Sequence, residues 1–97
     1  MTQLKRLVLD ILKPHQPDVL EFSRTLADQG RQRVRLTVLE MDDKTETLQV
    51  EIVGEDIDFE RIRMAISDFG ASLHSIDEVE VEGLGDGVSA SAEGSVG

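Results

Sequence analysis

With no cysteine anywhere in the chain, imidazole and carboxylate are the side chains with the most chemistry to offer. Four of them stand out by type and position: Asp10, His15, His74 and Asp77. A carboxylate beside an imidazole suits a divalent ion such as Zn or Mn. A carboxylate-only version, with Asp77 or Glu78 completing it, suits Ca. A water bound to such an ion would make the set a metal-dependent hydrolase. The competing reading is structural: Asp10 and His74 satisfy each other, and His15 caps a helix. The spacing matches no recognised ligand motif, so the elements must decide what meets.

Those elements follow from hydrophobic period. Leu7, Leu9 and Ile11 alternate with Arg6, Val8, Asp10 and Leu12 as in a strand, which Pro14 and Pro17 end. Pro17 suits the first turn of a helix, with Asp18 and Glu21 at its positive end. Val19, Leu20, Phe22, Leu26 and Ala27 form its apolar stripe, and Gly30 closes it. A second strand is expected over about 33–41 and a turn at Asp42-Asp43-Lys44-Thr45. The third strand carries Leu48, Val50 and Ile52 and ends at Gly54. Asp58 caps a second helix bearing Phe59, Ile62, Ala65, Ile66 and Phe69, which stops at Gly70. A last strand covers about 72–82, and residues 83–97 read as a disordered acidic tail rich in Gly and Ser.

This order predicts an α+β, ferredoxin-like β-α-β-β-α-β sandwich. Its antiparallel sheet has the order 4-1-3-2, with both helices on one face, over residues 1–82. Strand four then runs beside strand one, which draws Asp10, the His15 loop and His74 toward one end of the sheet. Ser75 is expected to face the opposite side from His74. The face away from the helices should hold Val8, Asp10, Leu12, Leu39, Met41 and Val53, too apolar to be left wet.

Charge sets further bounds. The 97 residues carry 20 acidic and 10 basic side chains, a net charge of −10. Only three of the basic residues are Lys, and acid excess of this kind suits a salt-loaded cytoplasm. There is no basic stripe to displace counterions, so nucleic acid is not the expected partner. The apolar runs are far too short for a membrane helix, and a cytoplasmic location is expected. Arg31, Arg33 and Arg35 fall on strand two, while Glu78, Glu80 and Glu82 fall on strand four. These are the two edges in the expected order. Unlike edges invite a head-to-tail contact between copies that can close into a ring. A small domain without staples has reason to do so.

The segment Leu9-Asp10-Ile11-Leu12-Lys13-Pro14-His15 resembles the opening motif of small archaeal proteins grouped as the domain-of-unknown-function 211 family. Leu73-His74-Ser75-Ile76-Asp77-Glu78-Val79 is similar to their closing motif. Between them Glu40, Asp42, Thr45, Gly54 and Asp58-Phe59 also match, over residues 4–82 in all. The resemblance implies the ferredoxin-like fold, homo-oligomerisation and an archaeal origin. Combined with the acid excess, it points to a haloarchaeal member. It implies no activity.

Rival functions of the same outline lack their residues. RNA-recognition modules need aromatics on the sheet, and Phe22, Phe59 and Phe69 all fall on helices. Heavy-metal-associated domains need a Cys pair, and acylphosphatase-like enzymes an Asn; the chain has neither. Amino-acid-binding regulatory modules want a Gly in the first loop, which here reads Lys-Pro-His-Gln-Pro-Asp. The expectation is therefore a non-enzymatic homo-oligomer. Its candidate interface is Arg33, Arg35, Glu78 and Glu80. Its candidate site for Ca, Mn, Zn or a small anion is Asp10, His15, His74 and Asp77.

Overall fold

The structure is a computed structural model and describes residues 1–85. Six elements follow one another: β1 (Thr2–Pro14), α1 (Val19–Ala27), β2 (Gln32–Met41), β3 (Thr45–Gly54), α2 (Phe59–Asp68) and β4 (Ser72–Gly83). The four strands form one antiparallel sheet in the order β2-β3-β1-β4, which is the expected 4-1-3-2 read from the other margin. Leu7, Leu9 and Ile11 of β1 and Leu48, Val50 and Ile52 of β3 lie on one face. They pack against Phe22 and Leu26 of α1 and Ile62, Ala65 and Ile66 of α2. Both helices thus cover the same face, and the Phe22 and Phe69 rings meet at 5.2 Å. Among the described residues no helix is long and apolar enough to cross a membrane.

The caps explain where the helices stop and start. Asp18 is the N-cap of α1, and its carboxylate accepts the Glu21 N–H at 2.8 Å. Pro17 sits just outside the helix. The helix ends at Ala27 with Asp28 as its C-cap, so Gly30 lies beyond it and does not close it. Leu20 leaves the predicted stripe and is exposed, because Val19, Phe22 and Leu26 already fill the sheet-facing side. Gly70 does close α2. Its φ of 75° lets the Gly70 and Ala71 N–H groups reach the Ser67 and Ile66 carbonyls, a Schellman turn.

The sheet departs from simple alternation at several points. In β2 the register shifts between Val38 and Glu40, so Met41 comes to pair with Glu46 and leaves the open face where it was expected. Val8 stays on that face but is 4% exposed. Leu12 remains on that face and is exposed, so the face keeps part of the apolar character its sequence suggested. The last strand runs one residue further than expected, to Gly83, and the Leu84 N–H bonds the Met1 carbonyl at 3.0 Å. The rest of the segment read as a tail lies outside the described residues.

Candidate functional site

Asp10 stands on the open face of β1, with Gln49 opposite it on β3 and Ser75 opposite it on β4. The β1–β4 ladder slips between Asp10 and Ile11, which leaves His74 as an extra residue in the edge strand. Such a bulge re-aims a side chain. Here His74 Nδ1 comes to 3.5 Å from Asp10 Oδ2. A second slip, between Val8 and Leu9, makes Asp77 the other extra residue of β4. The Ser75 hydroxyl donates to the Asp77 carboxylate at 2.7 Å. The bulge also corrects the expectation for Ser75, which shares the side of Asp10 with His74 instead of facing away.

His15 is elsewhere. It lies past the end of the β1–β4 pairing, which stops at Leu12 and Ser72. Its ring is taken up by the β2–β3 hairpin. Nε2 donates to the Asp42 carbonyl at 2.8 Å and the Asp43 carbonyl at 3.1 Å, and Nδ1 faces Glu46 Oε2 at 3.3 Å. The four predicted ligands thus fall into a pair, Asp10–His74, and two residues with other partners. Among the described residues no three His, Asp or Glu side chains are placed to hold a metal together.

The hairpin cluster itself was missed from sequence. Lys13 and Glu46 sit opposite one another in β1 and β3, on the core side, 0% and 6% exposed. Lys13 Nζ donates to Glu46 at 3.2 Å, to the Pro14 carbonyl at 2.7 Å and to the His15 carbonyl at 3.4 Å. The signal was available: residue 13 continues the buried parity of 7, 9 and 11, and residue 46 that of 48, 50 and 52. Lys13, Glu46 and His15 together hold the turn at 42–45 against the end of β1. That turn is closed by Asp42 N–H to the Thr45 carbonyl at 2.8 Å, as its composition predicted.

Both ring nitrogens of His15 face acceptors, which favours the imidazolium. The Asp42 carbonyl, then the Glu46 carboxylate, raise its pKa above the ordinary 6.5. A folded pKa above the unfolded one gives stabilisation that is complete below pH 6.5 and is lost as pH rises through the folded value. In an NMR titration His15 should titrate above 6.5, and Glu46→Gln should lower its midpoint. A midpoint at or below 6.5 in the parent would contradict the cluster.

The open face carries a second cluster, centred on Arg6. Its guanidinium bonds Glu51 of β3 at 2.8 Å and also Glu78 of β4, bridging the sheet across β1. Val8 lies between those two carboxylates in the ladder, which accounts for its burial on an otherwise wet face. On β2, Arg35 sits opposite Glu51 and Arg33 opposite Val53. Charge therefore runs basic to acidic across the sheet, from Arg33 and Arg35 on one margin to Glu78 and Glu80 on the other. Arg31 precedes β2 and takes no place in that row. A pocket of about 310 Å³ opens between Arg6, Arg35 and Glu51 over Val8.

Comparison with known proteins agrees with the motifs. Residues 5–85 match the family DUF211, described as uncharacterized ArCR. An uncharacterized protein of Methanocaldococcus jannaschii is 41% identical over 80 residues, covering 81% of this chain and 82% of that one. The chain belongs to the DUF211 family of archaeal proteins.

Proposed function

We propose that this chain is a non-enzymatic domain that works as a homo-oligomer, associating head to tail through its two sheet margins. The observation that carries the reading is the charge order on the open face. Arg33 and Arg35 on β2 lie in the same two rows of the sheet as Glu80 and Glu78 on β4. Unlike margins on one protomer give a contact that repeats, and with a fixed rotation it closes into a ring. The Asp10–His74 pair is the part of the ion reading that retains geometric support, with remaining ligands supplied by water. The acid excess supports a haloarchaeal, cytoplasmic protein in which molar salt shortens the Debye length to about 3 Å. Only contacting charges would then hold the margins together.

Native mass spectrometry of the purified protein should give one closed oligomer. A thermal-melt screen with Ca, Mn and Zn should show stabilisation by one of them that Asp10→Ala abolishes, with no turnover of simple phosphate esters. A monomer in the mass spectrum would refute the assembly. An unchanged melt in all three ions would refute the ion site, and ester turnover lost in Asp10→Ala would replace binding with hydrolysis.

A further inference from the structure

The charged rows are only half of a pattern that runs through both margins. Reading straight across β2, β3, β1 and β4, the ladders align seven rows, six of them ahead of the β2 bulge at Leu39 and a seventh, from Glu40 to Ser72, beyond it. Of the six, three face the open side and end in Arg33 and Glu80, Arg35 and Glu78, and Thr37 and Ser75. The three between them face the helices and end in Val34 and Val79, Leu36 and Ile76, and Val38 and Leu73. Each of the six rows ahead of the bulge thus finishes with partners that suit each other: cation with anion, hydroxyl with hydroxyl, aliphatic with aliphatic.

Three of these aliphatic ends, Ile76, Val79 and Val38, are also uncovered, while Val34, Leu36 and Leu73 pack in part against the core. On the helix side of β4, Ile76, Val79 and Val81 are 45%, 56% and 52% exposed, because α2 covers only part of that margin. On β2, Val38 is 40% exposed. Opposite margins of this sheet run antiparallel, so a second copy placed beside the first presents its β2 to β4 in the sense of an antiparallel ladder. Joining two β4 margins would instead set acid beside acid, and joining two β2 margins arginine beside arginine. Both are disfavoured.

We propose that copies join with β4 of one against β2 of the next in this same register, so that each of the six rows continues from protomer to protomer. This rests on the head-to-tail reading above and adds the seam's alignment and its apolar side. The occupant of the exposed β4 stripe is therefore the β2 margin of a second copy. The bulges at His74 and Asp77 shorten the regular backbone of β4. Indiscriminate strand addition is thereby discouraged, and the side-chain match selects the partner.

The chain has no cysteine, so cross-linking can report the register directly. Directly opposite residues in an antiparallel pair lie about 4.5–5.5 Å apart at Cα, within reach of a disulfide. The variant Thr37→Cys/Ser75→Cys should oxidise to a ladder of covalent multimers on a non-reducing gel. Thr37→Cys/Glu80→Cys places its thiols four rows apart, about 13 Å along the strand, and should stay uncross-linked. The parental size by native mass spectrometry is checked for each variant. An oligomer in which the first pair fails to cross-link, or the second links as readily, overturns the register and leaves head-to-tail assembly standing. Monomers in the parent overturn both.

Discussion

Replacing Glu46 by Ala should destabilise the domain by about 3–5 kcal/mol, the usual consequence of stripping one partner from a buried ion pair. The ammonium of Lys13 is fully buried and would keep only the Pro14 and His15 carbonyls. Neither carries a compensating charge. For a domain with a total stability on the order of 5–15 kcal/mol, that loss is severe. His15 would also lose its contact from Nδ1, so the 42–45 turn should loosen together with the end of β1. The double variant Lys13→Met/Glu46→Leu removes both charges and fills similar volume. It should lie close to the parent or above it. Urea denaturation at pH 7 of all three proteins makes the comparison. A Glu46→Ala cost below about 1 kcal/mol would mean that Lys13 finds water, contrary to its burial.

The second large effect is on assembly. Arg33→Glu/Arg35→Glu turns two attractive contacts of the proposed seam into repulsive ones. At roughly 3 kcal/mol in total, each interface should weaken about a hundredfold, which leaves monomers at micromolar protein. Within the protomer Arg33 faces Val53 and makes no ion pair among the described residues. Arg35→Glu sets a carboxylate opposite Glu51 at a cost of roughly 0.2–1 kcal/mol, so the thermal melt of the variant is compared with the parent. Sedimentation velocity reads the outcome. A variant that sediments at parental size rules out this interface.

Much of the fold was legible because alternation is a direct consequence of strand geometry. Leu7, Leu9 and Ile11, with Leu48, Val50 and Ile52, fixed two strands and the buried side of both. Gly70 was legible because a helix end that needs positive φ selects glycine. The site was legible only in part. Strand order brings Asp10 and His74 to the same part of the sheet and the bulge at His74 completes the approach, but His15 does not join them, because a loop residue goes where its hydrogen bonds lead. Lys13 and Glu46 went unread because a charged residue on a buried parity looks like an exception until its partner is placed opposite.

The bulges were the main obstacle. One extra residue at Leu39 moved Met41 off the open face, and His74 and Asp77 reset β4 twice. A trace of them exists in the sequence: Leu73, Ile76 and Val79 recur at intervals of three, where an undisturbed strand would give two.

Everything proposed for function depends on unlike sheet margins seeking each other on separate copies. The most direct measurement takes two variants, Arg33→Glu/Arg35→Glu and Glu78→Arg/Glu80→Arg, each carrying one kind of charge on both margins. Each alone should be monomeric by native mass spectrometry. Mixed in equal amounts, they should combine into an oligomer in which the two alternate. Persistence of both as monomers after mixing, or assembly of either one alone, would contradict the account.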